Sequence, residues 1–323
     1  MKILLASKID PHAIRELQES HEVICAFGAK EEVLCEEIRG AHVLVFRSGV
    51  QITARVLEAG APTLGLLLRA GSGIDNIDLE AVADLGLRFE RIPGPSAKAV
   101  AELAFALMLD LARHVRRADQ LLRDGVWAKN QLTGYLLTGK TLGIVGTGNI
   151  GARVGELGAA WGMSVIGCVE IPSPEEEARL QRHGIRMESF ETVLSDSDFV
   201  SVHVPLQENT RNLLDGAAIA RMKEGAYLVD LARGGVVDEE AVRDALEAGR
   251  LAGAGFDVHA REGDDFHSPL VGLDQVLITP HIGAATHDTQ REIGEIICEF
   301  VRSFAREVRH EEDHQVQDST QVG

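Results

Sequence analysis

One short segment constrains the fold of this 323-residue chain more than any other. Residues 141–145, Thr-Leu-Gly-Ile-Val, have the apolar pattern of a buried strand, and a GxGxxG motif follows at once as Gly146-Thr-Gly-Asn-Ile-Gly151. Residues 152–161 then have helical periodicity. In this context the glycines let the backbone turn tightly and approach a pyrophosphate at the helix N-terminus. The segment therefore predicts a dinucleotide-binding α/β domain.

Strand and helix patterns alternate along the chain. Short apolar runs, many of them β-branched, are separated by amphipathic stretches, and such an alternation predicts parallel sheets covered by helices on both faces. The strands form two series, in residues 2–90 and 141–279, so we expect two doubly wound domains. Ser96 is the predicted N-cap of a long helix that reaches about Arg116.

Composition excludes several classes of partner. Lys and Arg total 32 against 50 Asp and Glu, a formal net charge of −18. A field of that sign repels nucleic acid and anionic membranes, so neither is expected as a partner, and an anionic ligand needs local cations. No apolar segment suits a signal peptide or a membrane span. The four cysteines lack CxxC spacing, so neither a disulfide framework nor a metal site is expected, and the chain is predicted to be cytoplasmic.

The strand after the glycine motif bears on the choice between NAD and NADP. An acidic residue that binds the adenosine ribose is expected near its end. Val169 occupies that position, 18 residues after Gly151, and Glu170 follows it. Glu170 is predicted to bind the ribose hydroxyls and to repel a 2′-phosphate, which favours NAD over NADP. The alternative is that Glu170 is an ordinary solvent-exposed side chain.

Polar residues also follow the four later strands of the second series. Ligands of open parallel sheets bind at the carboxyl ends of the strands, so these residues are expected to meet where the dinucleotide binds. Taken singly, each has an ordinary explanation, such as a loop cation or a surface acid. The strand ends read His203-Val-Pro205, Ala232-Arg-Gly-Gly235, Asp257-Val-His259 with Glu262 nearby, and Pro280-His-Ile-Gly283.

Together these groups fit hydride transfer between a nicotinamide and a 2-oxo or 2-hydroxy acid. Arg233 can bind the substrate carboxylate with two hydrogen bonds and polarise the oxo group. His281 can donate a proton to the new alkoxide and withdraw it in the reverse reaction. Glu262 would fix the tautomer of His281 and favour its charged form. Asp257 is expected to contact the nicotinamide carboxamide.

Several segments of the second half carry specific motifs. They are Gly146–Gly151, Asp230-Leu-Ala-Arg-Gly-Gly-Val-Val-Asp238, Gly255-Phe-Asp-Val258 with Glu262, and Thr279-Pro-His-Ile-Gly-Ala-Ala-Thr286. These motifs resemble those of the D-isomer-specific 2-hydroxyacid dehydrogenase family. The resemblance implies that Arg233, Glu262 and His281 are the catalytic residues of an NAD-dependent enzyme, which is usually a homodimer.

The resemblance also implies the arrangement of the domains. A Rossmann domain that binds NAD, residues 98–287, would be inserted in a flavodoxin-like substrate domain formed by residues 1–97 plus 288–308. The polar residues 309–323 are predicted to be a disordered tail. By position or by resemblance, the predicted cofactor-binding residues are Gly146, Gly148, Asn149, Ile150, Gly151, Glu170, His203, Val204, Pro205, Leu231, Ala232, Arg233, Asp257, His281 and Gly283.

The first half bears on the substrate. Phe46-Arg47-Ser48 and the segment from Arg69 to Glu80 resemble the phosphoglycerate dehydrogenase branch of the family. That resemblance implies that Arg47 binds a substrate phosphate and that backbone amides of residues 70–73 bind the carboxylate. A surface ion pair with Glu58 or a neighbouring residue is the alternative role for Arg47. The predicted substrate-binding residues are Arg47, Ser48, Arg69, Ala70, Gly71, Ser72, Gly73, Arg233 and His281.

The expected substrate is therefore a small anionic 2-oxo or 2-hydroxy acid with a second anionic group, such as 3-phosphoglycerate. Val169 and Asp230-Leu231 depart from that branch, and the chain ends without its regulatory domains, so a short form is expected. Phosphonopyruvate, hydroxypyruvate or glyoxylate are the alternative substrates. A non-catalytic, NAD-sensing corepressor is the alternative from another class.

Overall fold

The chain forms two α/β units in the computed structural model, which describes the backbone of residues 1–321 and the side chains of residues 1–310. One unit comprises Met1–Ser96 and the segment that begins at Ala285, and the other comprises Ala97–Ala284. The strands are β1 Lys2–Leu5, β2 Glu22–Cys25, β3 Val43–Phe46, β4 Leu66–Arg69, β5 Arg88–Arg91, β6 Thr141–Val145, β7 Ser164–Cys168, β8 Arg186–Met187, β9 Phe199–Val202, β10 Ala226–Asp230, β11 Leu251–Phe256 and β12 Val276–Ile278.

The helices lie between the strands, as the sequence pattern predicts. Short 3-10 turns at Glu208–Thr210 and Gly263–Asp265 add to them. The helices are α1 Pro11–Gln18, α2 Glu31–Glu37, α3 Ala54–Gly60, α4 Leu79–Asp84, α5 Gly94–Arg113, α6 Val115–Arg123, α7 Asn149–Ala160, α8 Pro174–Arg182, α9 Phe190–Asp196, α10 Gly216–Arg221, α11 Glu239–Glu247 and α12 His287–Gln321.

The first unit contains a five-stranded parallel sheet in the order β2-β1-β3-β4-β5. This is the order of flavodoxin-like sheets, and it confirms the predicted fold class of this unit. Strands β3 and β4 are buried along their whole length, because both of their faces are covered. The inner face of α12 packs on the same core through Ile293, Ile297 and Val301, which are almost completely buried.

The second unit contains a seven-stranded parallel sheet in the order β12-β11-β10-β9-β6-β7-β8. Followed from the other edge, the six strands β8-β7-β6-β9-β10-β11 have the Rossmann order 3-2-1-4-5-6. The predicted dinucleotide-binding fold is therefore confirmed. The glycine motif follows β6, the central strand at which the order reverses. The two-residue edge strand β8 was not predicted, since it is too short to leave a pattern in the sequence.

Two helices differ from their predicted limits. The long helix begins at Gly94 instead of after Ser96, and it ends at Arg113, because His114 adopts a left-handed conformation with φ of 55° before α6 begins. Helix α12 continues to Gln321, although a disordered tail was predicted from residue 309. No glycine or proline interrupts the sequence between Val308 and Gln321, so it contains no residue that ends a helix. Residues 322 and 323 lie outside the described part of the chain.

Among the described helices, none is long and apolar enough to cross a membrane.

Candidate active site

The glycine motif forms a tight loop between β6 and α7. Gly146 has a φ of 90°, and a Cβ atom there would lie 2.6 Å from Cγ1 of Val204. A Cβ at Gly151 would collide with the carbonyl oxygen of Gly146, so helix and strand pack too closely for a side chain. By contrast, a Cβ at Gly148 would meet no atom within 4 Å. The loop is therefore closed towards the protein and open at its middle glycine.

The N-terminus of α7 has amide groups that can bind a phosphate. Its N-cap, Gly148, supplies no side-chain hydrogen bond, so the first amides of this 12-residue helix have no capping side chain. Together with the open surface at Gly148, this arrangement fits the pyrophosphate of a dinucleotide. Asn149 and Ile150 are the first two residues of the helix. Arg179 Nη2 donates a 2.8 Å hydrogen bond to the carbonyl of Thr147 and fixes the loop.

Glu170 lies beyond the end of β7 and is exposed. Its Oε1 atom accepts a 2.8 Å hydrogen bond from Nδ2 of Asn209, which belongs to the 3-10 turn after β9. Glu170 is therefore held in place rather than free to move in solvent. Asn209 is not predicted from the sequence, because no local pattern connects two residues 39 positions apart.

The residues after β9 are shielded from solvent to different degrees. Nε2 of His203 lies 2.7 Å from Oγ of Ser201, and burial lowers the pKa of His203 to about 3. The imidazole is thus neutral at physiological pH and is not a proton donor. Val204 packs against Gly146, while Pro205 accepts a 2.6 Å hydrogen bond from Thr210 Oγ1 on its carbonyl.

Strand β10 ends at a buried carboxyl group. Asp230 is 1% exposed, and its Oδ1 accepts a 2.9 Å hydrogen bond from the backbone N–H of Ala232. Burial raises the pKa of Asp230 to about 8, and the nearby Glu239 and Asp257 act in the same direction. Leu231 and Ala232 are buried, and Arg233 follows them with Nη1 donating a 2.7 Å hydrogen bond to the Ala232 carbonyl.

Glu262 and His281 form the hydrogen-bonded pair that the sequence predicts. Nδ1 of His281 lies 2.8 Å from Oε2 of Glu262, and Oε1 of Glu262 accepts the backbone N–H of His259 at 3.1 Å. Burial alone would raise the pKa of Glu262, but the hydrogen bond and charge of His281 outweigh it and hold this pKa below its usual value. The carboxylate is therefore ionised and aligned on the imidazole.

Asp257 holds the turn that carries His281. Its Oδ1 accepts hydrogen bonds of 2.6 Å from Thr279 Oγ1 and 2.8 Å from the N–H of Ile282, and Oδ2 accepts the N–H of Gly283 at 2.8 Å. His281 itself has a φ of 53°, a conformation that non-glycine residues seldom adopt without support. Asp257 supplies that support, whereas the sequence predicts only a contact with the nicotinamide carboxamide.

A cavity of about 370 Å³ lies beside the Glu262–His281 pair. His259, only 5% exposed, lines it together with Phe266, whose ring packs edge-to-face at 5.0 Å. Nε2 of His259 lies 2.9 Å from the carbonyl oxygen of Thr279, so that nitrogen carries the proton. The cavity walls are thus apolar around one ionised carboxylate and two imidazoles.

In the other unit, Arg47 follows β3 and is partly buried. Its Nη1 donates a 2.8 Å hydrogen bond to Oε1 of Gln290, and Asn76 Nδ2 donates to its carbonyl at 2.9 Å. Among the side chains that the structure describes, this guanidinium is therefore bonded to a neutral amide and not to Glu58. Burial lowers the pKa of Arg47, but a guanidinium remains charged at neutral pH. Ser48, the next residue, is exposed.

The loop of residues 70–73 lies over the side chain of Arg69. Arg69 is 3% exposed, and its Nη1 donates a 3.1 Å hydrogen bond to the Ala70 carbonyl. A Cβ at Gly71, where φ is 150°, would lie 2.5 Å from that Nη1 atom. Arg69 thus supports the loop from beneath. Ser72 and Gly73 are partly exposed.

Comparison with known proteins finds relatives over nearly the whole chain. Residues 105–283 match the model for D-isomer specific 2-hydroxyacid dehydrogenase, NAD binding domain. The chain is 39% identical to a hydroxypyruvate reductase of Thermotoga maritima over 93% of this chain and 96% of that protein. It is 38% identical to a D-3-phosphoglycerate dehydrogenase of Methanocaldococcus jannaschii over 95% of this chain, and it spans 58% of that protein's length.

A solved structure shows the same similarity. The D-lactate dehydrogenase of Aquifex aeolicus, complexed with NAD and lactic acid, superposes with a TM-score of 0.82 at 26% identity. The match covers 95% of this chain and 96% of that one.

Proposed function

The chain belongs to the D-isomer specific 2-hydroxyacid dehydrogenase family, and we propose that it interconverts a D-2-hydroxy acid bearing a second anionic group with its 2-oxo acid. The match of residues 105–283 to the NAD-binding domain of the family confirms NAD as the predicted cofactor. The observation that carries the proposal is the Glu262–His281 pair, 2.8 Å apart on the unit that contains the glycine motif. NADH supplies a hydride to C2 of the oxo acid when it is bound.

His281 moves the proton in this proposal. Its Nδ1 atom is engaged by Glu262, so Nε2 is the nitrogen that donates a proton to the alkoxide oxygen during reduction. The negative charge of Glu262 stabilises the imidazolium, which is present before reduction and is formed again during oxidation. Asp257 holds the backbone of the turn and Glu262 holds Nδ1 of the ring, so His281 is oriented in advance, which lowers the entropy cost of proton transfer.

Arg233 is proposed to bind the substrate carboxylate, and the backbone amides of residues 70–73 are proposed to contribute to the same task. A guanidinium suits a carboxylate because its planar N–H groups match the two oxygens. Arg69 then acts by holding residues 70–73 in place, which its bond to the Ala70 carbonyl supports.

Arg47 is proposed to bind the second anion. Its charge is partly desolvated and is hydrogen-bonded to the neutral amide of Gln290, so an anion would be a better partner than the present one. In a chain with a net charge of −18, such a cation is a specific attraction for a doubly anionic substrate. A phosphate, as in 3-phosphohydroxypyruvate, fits this requirement, and a phosphonate fits it as well.

A panel of 2-oxo acids tests the function. Purified protein is assayed for NADH oxidation with 3-phosphohydroxypyruvate, phosphonopyruvate, hydroxypyruvate and glyoxylate. We expect kcat/KM to be highest for one of the first two acids. A preference for hydroxypyruvate would instead match the name of the Thermotoga maritima relative, and a preference for glyoxylate would support the other alternative substrate. No turnover with any acid, despite NADH binding, would favour a corepressor-like binding protein.

We also propose a homodimer in the cytoplasm. Helix α6 and the segment after it expose large apolar side chains, among them Leu122 at 59% and Trp127 at 79% exposure. The family resemblance implies a dimer, and we propose that a second copy of the chain covers these side chains. Leu122→Asp should then produce a monomer in light scattering. If the Leu122→Asp variant remains a dimer, the interface does not include Leu122. The four free cysteines are compatible with a reducing compartment.

A further inference from the structure

The loop that carries Glu262 has little regular structure of its own. Residues 260–267 are all exposed, and the loop contains only one short 3-10 turn. A loop of this kind is expected to be mobile unless specific bonds hold it. Glu262 nevertheless has to stay within hydrogen-bond distance of His281. A group outside the loop therefore has to hold the loop in place.

A single buried carboxylate bonds both ends of this loop. Glu239, the first residue of α11, is 7% exposed. Its Oε1 accepts the backbone N–H of Ala260 at 2.8 Å, and its Oε2 accepts the hydroxyl of Ser268 at 2.5 Å. Ser268 Oγ in turn accepts the N–H of Leu270 at 3.2 Å. Glu239 thereby joins residues 260 and 268, the two ends of the exposed stretch.

The same bonds keep the loop against the residue that follows Arg233. A Cβ at Gly234 would collide with the carbonyl group of His259 and would lie 2.7 Å from the nitrogen of Ala260. The peptide between residues 259 and 260 therefore lies directly on Gly234. Because Glu239 bonds the N–H of that peptide, its loss would loosen the contact with Gly234 as well as the loop itself.

We infer that Glu239 is a positioning residue of this active site, which acts by holding Glu262 on His281. The inference rests on the proposed function, since it assigns Glu239 a role through the catalytic residues. Glu239 does not need to contact substrate or cofactor. A displacement of about 1 Å at a reacting group can cost roughly 100-fold in rate, so a loose loop would have a measurable effect.

The first test is kinetic. Glu239→Ala leaves the donors at residues 260 and 268 without their acceptor, and we expect kcat for 2-oxo acid reduction to fall roughly 10- to 100-fold with little change in KM for NADH. Glu240→Ala is the matched control, because Glu240 is the next residue of the same helix, is exposed, and pairs with Arg243 on the surface. The control should retain the wild-type kcat.

A double-mutant cycle separates positioning from general destabilisation. If Glu239 acts through Glu262, then Glu239→Ala should cost little further activity in a Glu262→Gln background. Losses that multiply would show that the two residues act independently and would overturn the inference. Should Glu239→Ala fail to fold, Glu239→Gln replaces it: its amide oxygen can still accept from Ala260, but its amide nitrogen cannot accept from Ser268, so a smaller loss is expected.

Hydrogen–deuterium exchange provides a readout that does not depend on catalysis. The peptide covering residues 259–268 should exchange faster in Glu239→Ala, or in Glu239→Gln, than in the wild type and in Glu240→Ala. Unchanged exchange would contradict the inference. A wild-type protein that turns over no 2-oxo acid, yet shows the faster exchange on mutation, would refute the proposed function alone.

Discussion

The carboxylate of Glu262 is bonded on both of its oxygens, with His281 Nδ1 at 2.8 Å on Oε2 and the backbone N–H of His259 at 3.1 Å on Oε1. This arrangement leaves the carboxylate one orientation and leaves the imidazole one tautomer in its neutral form. It is the geometry that a proton donor needs when the proton has to leave from Nε2.

His281→Ala should lower kcat for reduction roughly 10²–10⁴-fold, the usual contribution of a positioned acid. NADH binding, followed by fluorescence titration, should change little, because the glycine motif is untouched. His183→Ala is a suitable control, since His183 also pairs with a glutamate, Glu156 at 2.6 Å, but is the C-cap residue of α8 and lies outside the Glu262–His281 pair. Wild-type activity in His281→Ala would remove this residue from the proposed mechanism.

Glu262→Gln should shift the pH profile of reduction. The neutral amide no longer stabilises the charged imidazole, so the fall in rate with rising pH should begin at a lower pH than in the wild type. The profile of kcat against pH, measured between pH 5 and 9, shows this directly. An identical profile in both proteins would exclude Glu262 from the proton transfer.

Arg47→Ala should raise KM for a phosphorylated or phosphonylated 2-oxo acid roughly 10- to 100-fold. Charge-assisted hydrogen bonds contribute about 1.5–3 kcal/mol each, and about 1.4 kcal/mol corresponds to one factor of ten. The slow reaction with 2-oxobutyrate should be almost unaffected, because that acid has no second anion. Arg55→Ala, an exposed arginine of α3, is the matched control. Equal losses with both substrates would mean that Arg47 supports the fold.

Glu170→Ala should narrow the preference for NADH over NADPH. The substitution removes a negative charge that would repel a 2′-phosphate and removes the carboxylate that we propose binds the ribose hydroxyls. Asn209→Ala should have a weaker effect in the same direction, since it only releases Glu170 from its 2.8 Å bond. The ratio of kcat/KM for NADH to kcat/KM for NADPH measures the effect of each substitution. Glu177→Ala, which changes an exposed glutamate of α8, is the control and should leave this ratio unchanged. A wild-type enzyme that uses both cofactors equally would contradict the role given to Glu170.

Asp230→Asn should make folding stability less dependent on pH. The pKa of Asp230 is about 8 in the folded protein, against about 4 in an unfolded chain, so the folded state retains a proton that the unfolded state has lost. The contribution of Asp230 to wild-type stability should therefore fall between pH 4 and 8, on the order of 1 kcal/mol per pH unit, and level off above pH 8. Asparagine cannot ionise, and its amide oxygen can still accept the N–H of Ala232.

Urea unfolding at pH 5 and pH 8 tests this prediction. The unfolding free energy of Asp230→Asn, relative to that of the wild type, should be larger at pH 8 than at pH 5. Asp244→Asn, which changes an exposed carboxylate of α11, should show no such movement. A constant difference for Asp230→Asn would mean that Asp230 is not the group that titrates in this range.

The sequence predicted the strands well for a physical reason. Strands buried on both faces have to be continuously apolar, and such runs are visible without any knowledge of distant contacts. The glycine motif could also be predicted, because each of its glycines meets a local backbone or packing requirement, such as the φ of 90° at Gly146. Residues at strand ends could be grouped in advance, since parallel strands point their carboxyl ends to one edge. Helix α12 was predicted too short, because a polar helix shows little apolar periodicity.

The supporting contacts could not be read from the chain. Glu239 has the sequence signature of an ordinary first-turn helix acid, and only the fold shows that it bonds residues 260 and 268. The same holds for Asn209, which bonds Glu170 across 39 positions, and for Arg47, whose partner Gln290 is 243 positions away. Local propensity and apolar periodicity act over a few residues, and they therefore determined the two doubly wound sheets and the place of the groups proposed to be catalytic. The partners that orient those groups come from distant parts of the chain, so only tertiary packing decided them.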